Sequence, residues 1–334
     1  MKVALWYHNA DIRVVEQPLA PTGPRELLAR VLACGICGSD VVEWYRRPRA
    51  PLVQGHEVAA EVVEVGAEVT RFRVGDHLVL APKVACLECP TCKAGHHPQC
   101  TAIKDRLPGG FAEYVLVPEA VAALGAYPIP AGLTSEQATF TEPLACVLRS
   151  QALAGLSAGQ TLLVLGCGMS GLLQVQAARL KGARVVATDL DPRRRDLATR
   201  LGAELVLPAG DDVPARLVAH LGRKADVVML CTAALPAIEQ AWASVDKGGA
   251  VVFFAVPDPG KTVTVPITTF WTQEIRILTS YYCGPDDLRA SLDLLAAGTI
   301  DVDLLITHRL GLDDIAEGFR LVQKGEAIKV IVRP

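Results

Sequence analysis

The chain has 334 residues, 51% of them apolar and 21% charged, too many for one ordinary core and well suited to two domains of about 150 residues each. Its 33 basic and 36 acidic residues give a formal net charge of −3. With no block of like charge, that balance argues against a nucleic-acid or anionic-membrane partner.

The opening residues, MKVALWYHNADIRVVEQP, lack the apolar stretch and small-residue cleavage site of a signal peptide. Next come short apolar segments broken by Pro and Gly, which predict strands over 26–33, 57–65, 77–80 and 112–117. A helical pattern covers 142–156. The uncharged stretch 150–178 is interrupted by Gly155, Gly159, Gly166, Gly168 and Gly171, so it reads as loop, buried strand, turn and helix rather than a membrane span. Strands are then predicted over 161–165, 184–189, 205–207, 226–232, 250–256 and 276–282. Helices over 171–181, 192–201, 213–221 and 236–245 alternate with the first five. That alternation predicts a parallel, doubly wound α/β sheet. The last fifty or so residues carry a helix over 286–297 and short strands ending at 329–332. A cytoplasmic location is the expectation, and there ten cysteines point to metal or catalysis before disulfides.

Cys86-x2-Cys89-x2-Cys92-x7-Cys100 places four thiols at spacings that close a tetrahedral zinc shell with no open position, the structural kind of site. His96 and His97 lie inside this lobe and are read as solvent-facing, since the cysteines already fill the shell. Gly166-Cys167-Gly168-Met169-Ser170-Gly171 follows a buried strand, opens a helix and precedes Asp189 at the end of the next strand. That is the full context of a dinucleotide-binding loop. A carboxylate at Asp189 accepts from ribose hydroxyls and repels a 2′-phosphate, which favours NAD over NADP. Arg193, Arg194 and Arg195 follow closely and keep some tolerance of NADP open. A third constellation is dispersed: Cys37, His56 with Glu57, and Glu142. Residue types alone leave it between a catalytic zinc with an open position and three bland readings: a buried thiol, a core histidine and a helix N-terminal carboxylate.

Cys34-Gly-Ile-Cys-Gly-Ser-Asp40, Gly55-His-Glu57, the cysteine lobe, Gly109-Gly-Phe-Ala-Glu-Tyr114, Glu142-Pro-Leu144 and the glycine loop occur in that order. Through Thr307-His308-Arg309 the whole chain resembles the zinc-containing medium-chain alcohol and polyol dehydrogenases, in particular the sorbitol and threonine dehydrogenase branch. The resemblance implies a GroES-like, β-rich catalytic domain over 1–148, completed by 284–334, and a Rossmann domain over 149–283. It implies two Zn2+ per subunit and NAD, a small-molecule secondary alcohol or polyol as substrate, no nucleic-acid or membrane partner, and a homodimer or homotetramer. Cys37 and His56 match the catalytic zinc ligands. Glu142 matches the remaining one, direct or through water, and Glu57 exchanges with it in some relatives. Ser39 matches the hydroxyl that passes the substrate's proton onward, and Asp40 the carboxylate that orients His56. Gly166, Gly168, Met169, Ser170, Gly171 and Asp189 match the cofactor loop and ribose acid, and Arg194 a basic residue near the adenosine. The chemistry such a zinc supplies is Lewis acidity at the substrate hydroxyl.

The chain also departs from the pattern. Val42 stands where relatives commonly have a histidine proton relay, Tyr281 where sorbitol dehydrogenases have an arginine, and Lys83 where threonine dehydrogenases have a histidine. Two other classes stay in view. A zinc-free NADPH-dependent quinone reductase of the same superfamily generally lacks the His56 position and the lobe. A non-enzymatic zinc-binding module fits poorly with the coupled cofactor and ligand motifs.

Overall fold

The early alternation of apolar residues and the later βα alternation build two different architectures. A computed structural model describes all residues, 1–334. It divides into Met1–Ala145 with Cys283–Pro334, and Cys146–Tyr282.

The first unit begins with strands β1 (Lys2–His8), β2 (Asp11–Glu16), β3 (Leu27–Ile36), β4 (Leu52–Val53), β5 (Glu57–Val65), β6 (His77–Leu80), β7 (Lys83–Val84), β8 (Asp105–Arg106), β9 (Tyr114–Val117) and β10 (Ala126–Pro128). Antiparallel pairing joins β1 to β2 and β4, and lines up β10, β6, β5 and β3, with β9 also on β3. Inward-facing Leu27, Ala29, Val31, Val58, Val62 and Leu80 form its core with Trp6 and Phe111. β3 runs on to Ile36, past its predicted end at 33, because its last residues pair on both sides.

The second unit carries β11 (Thr161–Leu165), β12 (Arg184–Asp189), β13 (Leu205–Pro208), β14 (Ala225–Leu230), β15 (Val245–Phe253) and β16 (Arg276–Thr279) in one parallel sheet of order β13-β12-β11-β14-β15-β16. The order reverses between β11 and β14, the switch point where such sheets bind dinucleotides. β15 starts earlier than predicted, since Val245 pairs with Ala225 before an irregularity at the following glycines. β16 stops at Thr279 rather than 282. Tyr282 has φ +60°, a conformation no strand can contain.

The chain then returns to the first unit with the helix Pro285–Ala296 and strands β17 (Ile306–Gly311) and β18 (Lys329–Arg333). β18 lies antiparallel on β3, with Ile331 opposite Gly35, and on its other side β3 places Gly35 opposite Glu57. The helix Ile315–Gln323, which the sequence pattern left unassigned, buries Ile315 and Phe319 one turn apart. Phe319 meets Phe111 edge-on at 5.9 Å. No helix is long and apolar enough to cross a membrane.

Where β5, β3 and β18 meet, Lys329 Nζ pairs with Glu57 Oε2, both side chains fully buried. A Cβ on Gly35 would overlap this pair outright, so glycine there makes room for it. Removing one partner of a buried pair strands the other charge, at a cost of about 3–5 kcal/mol. Lys329→Met is therefore expected to lower stability by about 3 kcal/mol, and Glu57→Gln/Lys329→Met to recover part of the loss. Denaturant unfolding of the three proteins checks this, and a loss below about 1 kcal/mol for Lys329→Met would contradict it.

Candidate metal and dinucleotide sites

The turn after β3 builds the first site. Cys37 caps the 3-10 turn Gly38–Val41: its Sγ accepts from Ser39 N at 3.4 Å, and its own N–H donates to Asp40 Oδ2 at 3.0 Å. His56 immediately precedes β5 and Glu57 begins it. The ligand atoms of Cys37, His56 and Glu57 lie within 4.8 Å of one another. His56 Nδ1 is 3.2 Å from the fully buried Asp40 Oδ1. With that nitrogen carrying the proton and donating, Nε2 is left as the ligand atom. Burial alone would lower the His56 pKa, but Asp40 and Cys37 outweigh it and hold the imidazole well above its usual value. Burial raises the Asp40 pKa, yet His56 and Arg46 bring it below the ordinary carboxylate range.

A cation fits this donor set. Glu57 Oε1 is buried and has no hydrogen-bond partner, an orphaned acceptor that ordinarily has an explanation such as an ion. Thiolate, imidazole and carboxylate are zinc's own ligand types. Glu142 is buried in the first turn of the helix Thr141–Ala154. It does not join the Cys37–His56–Glu57 group: its carboxylate lies within 4.8 Å of the thiols of Cys283 and of Cys146, one turn along its own helix.

The four lobe sulfurs, of Cys86, Cys89, Cys92 and Cys100, also converge within 4.8 Å, and none of the ten cysteines forms a disulfide. Cys86 and Cys92 are 4.0 Å apart, as are Cys89 and Cys100. Zn–S bonds of about 2.3 Å at tetrahedral angles require about 3.8 Å between sulfurs, so zinc fits with little adjustment. Backbone N–H groups already point at the sulfurs, from Cys89 to Cys86 at 3.3 Å and from Cys86 to Cys100 at 3.2 Å. The Thr91 hydroxyl and backbone donors bring the Cys89 pKa down to about 5, whereas burial pushes Cys92 up to about 12. His96 is exposed, as expected. His97 is half-buried, because it packs where a Cβ on Gly284 would sit.

In the second unit Gly166, at φ +98°, turns the chain out of β11, and Gly168 caps the helix Met169–Leu180. A Cβ on Gly171 would overlap the Gly166 carbonyl, so the loop closes only on glycine. Met169 and Ser170 form the first turn of that helix. Asp189 Oδ2 accepts from Cys167 N at 2.7 Å and Oδ1 from Asp191 N at 2.8 Å, which fixes the carboxylate beside the loop. Arg193 pairs with Asp191, and Arg195 donates to the carbonyls of Asp189 and Leu190. Arg194 Nη1 stands 4.0 Å from where a Gly168 Cβ would be.

The motifs do not single out two residues that the fold brings to the first site. Lys329 pairs with Glu57, and a lone charge inside the apolar run AIKVIV is its sequence signal. Arg46 reaches Ser39 and Asp40, with no signal beyond its place in an arginine-rich stretch.

Residues 23–130 match the alcohol dehydrogenase GroES-like domain and residues 171–297 the zinc-binding dehydrogenase domain. The chain is 32% identical to (R,R)-butanediol dehydrogenase of Bacillus subtilis (strain 168), over 100% of both proteins. It is 30% identical to the sorbitol dehydrogenase of Gallus gallus, covering 99% of this chain and 96% of that one. Among solved structures, one assigned to a zinc-binding dehydrogenase of Sinorhizobium meliloti 1021, with NADP bound, superposes at a TM-score of 0.89 with 33% identity over 100% and 99% of the two chains. The protein belongs to the zinc-containing medium-chain alcohol and polyol dehydrogenase family.

The two cysteine sites differ in kind, which separates their expected losses. Cys92→Ser should lower thermal stability or assembly, since a closed zinc site contributes folding energy. Cys37→Ser should leave the fold intact and abolish turnover. Elemental analysis of carefully prepared protein should find two zinc ions per chain; one or none would contradict the assignment.

Proposed function

We propose that this protein is an NAD-linked zinc dehydrogenase of a secondary alcohol bearing a neighbouring polar group, with small vicinal diols as the preferred class. The observation that carries the reading is the convergence of Cys37, His56 and Glu57, together with a buried Glu57 Oε1 that has no hydrogen-bond partner. Zinc bound there supplies a Lewis acid that makes the substrate hydroxyl easier to deprotonate. Cys37, His56 and Glu57 are assigned as its ligands, and Ser39 as the first acceptor of the hydroxyl proton. Asp40 orients His56 through Nδ1 and Cys37 through its backbone N–H. The lobe cysteines hold the second, structural zinc.

The cofactor assignment rests on Asp189. Two backbone donors hold its carboxylate in place, where it favours ribose hydroxyls and disfavours a 2′-phosphate. Arg193 pairs with Asp191, and Arg195 donates to the carbonyls of Asp189 and Leu190. The NADP in the Sinorhizobium relative belongs to that protein. Asp189→Ser is expected to erode the preference for NAD, because Arg194 could then meet a 2′-phosphate. Steady-state kinetics with both cofactors checks this, and a wild-type kcat/KM with NADP equal to or above that with NAD would contradict it.

The substrate assignment rests on what is missing. Tyr281 replaces the arginine of sorbitol dehydrogenases. Lys83 replaces the histidine of threonine dehydrogenases, and its Nζ donates to Pro98 O. A site built to hydrogen-bond a substrate group discriminates by up to about 10⁴-fold or more, so losing the protein partner weakens the corresponding specificity. The similarity to a butanediol dehydrogenase favours a small diol over cyclic polyols and amino-alcohols. A zinc-replete screen with NAD should rank 2,3-butanediol above sorbitol and L-threonine. A kcat/KM of about 10⁴ M⁻¹s⁻¹ or more on either of the latter would contradict the assignment. The edge strand β16 and the nearby Trp271, 79% exposed, support a homo-oligomer; light scattering should find at least a dimer.

A further inference from the structure

Around Ser39 the structure gathers more than the proton step by itself requires. Arg46, the last residue of the helix Glu43–Arg46, carries its guanidinium back to the Gly38–Val41 turn. Nε donates to the Ser39 carbonyl at 3.0 Å, and Nη2 donates to Ser39 Oγ at 2.9 Å and to Asp40 Oδ1 at 2.9 Å. The Arg46 side chain is 11% exposed and that of Asp40 not at all. Nη2 also lies 3.4 Å from His56 Nδ1. Both nitrogens are donors facing one carboxylate oxygen, so this is proximity rather than a bond.

Charge compensation of Asp40 would account for a buried guanidinium here. It would not account for the two-point grip on the backbone and hydroxyl of Ser39. A guanidinium only donates and does not deprotonate in proteins. By occupying one lone pair of Ser39 Oγ, it leaves the hydroxyl one other lone pair through which to accept and one direction in which to donate. Val42, three residues on, offers no side-chain base.

We propose that Arg46 is a positioning residue for proton removal, holding Ser39 Oγ as acceptor of the substrate's hydroxyl proton and setting the direction in which Ser39 gives up its own. The inference rests on the role of Ser39 proposed above. As the substrate O–H bond breaks, a new O–H bond forms at Ser39 Oγ. The original Ser39 O–H bond breaks toward a water molecule, which carries the proton to solvent. The carbinol hydride goes to the dinucleotide, as in the family's reaction, and Arg46 exchanges no proton.

The test is a double-mutant cycle on zinc-replete enzyme with 2,3-butanediol and NAD. Arg46→Ala should lower kcat roughly 10- to 100-fold, part of the roughly 10²–10⁴-fold that positioned proton transfer contributes, with KM within about threefold. In a Ser39→Ala background the same change should cost less than about threefold, because the group Arg46 aims is gone. Guanidinium ion should restore part of the Arg46→Ala rate where equal ammonium does not. Should Arg46→Ala fail to fold, Arg46→Lys keeps a charge beside Asp40 but lacks the planar fork, and should show the same kcat loss at unchanged zinc content.

A second readout needs no turnover. In cobalt-substituted protein with NAD, the visible spectrum reports binding of trifluoroethanol, which must shed its hydroxyl proton to bind tightly. Arg46→Ala and Ser39→Ala should weaken that binding by similar factors, and the double variant no further. Additive losses, a wild-type-like Arg46→Lys, or loss of catalytic-site metal in Arg46→Ala would overturn the inference, since Arg46 would then act through Asp40 or the fold. A wild-type protein that neither oxidises alcohols nor binds trifluoroethanol would overturn the reading of Ser39, and this inference with it.

Discussion

Glu57 and Lys329 meet in a place from which water is excluded, and the metal-ligand side of the first unit depends on that meeting. Two buried charges are tolerated only when each compensates the other and the remaining polar atoms are satisfied. Lys329 Nζ uses the Glu57 carboxylate and the Ile36 carbonyl, 3.4 Å away, and lies 5.5 Å from the Phe140 ring centroid, within cation–π range. The pair ties β5 to β18 across Gly35 of β3, joining residues 272 positions apart. Glu57 also belongs to the ligand group with Cys37 and His56, and its second oxygen has no hydrogen-bond partner. One charge pair thus couples the C-terminal strand to the geometry of the ligand group.

A second carboxylate organises the near side of the same site. Asp40 touches the Cys37 backbone, the His56 ring and the Arg46 guanidinium at 3.0, 3.2 and 2.9 Å. Its placement follows from a local device, the 3-10 turn capped by Cys37, which brings residues 37 and 40 together through hydrogen bonds within the turn. The cysteine lobe follows another logic. Its four sulfurs converge within 4.8 Å and receive backbone N–H groups, a donor set that would leave a bound zinc no open position. An open ligand group with an orphaned oxygen suits chemistry, and a closed one suits support.

In the second unit the same economy applies to Asp189. Before any ligand arrives, its carboxylate already staples the glycine loop to the end of β12 by accepting from Cys167 N. The loop and Asp189 are thus held together by hydrogen bonds, where the strand order reverses.

Much of this was legible in the chain itself. The parallel sheet follows from the regular alternation of apolar strands and helices, the clustered cysteine lobe from four cysteines in fifteen residues, and the glycine turn from glycines whose spacing is set by local backbone sterics. These are short-range constraints, and short-range constraints are written in neighbouring residues. The strand ends at 279 and 245 were not legible, since they depend on a left-handed Tyr282 and on pairing with Ala225. Neither was the company each ligand keeps. Types and order placed Cys37, His56, Glu57 and Glu142 in one set, whereas packing draws Glu57 in with Cys37 and His56 and sets Glu142 beside Cys283. Arg46 and Lys329 stood in the sequence as one arginine among several and one lysine in a strand. Only tertiary structure decided that they serve the site, because a charged side chain buries itself where a partner waits, and that partner can lie anywhere along the chain.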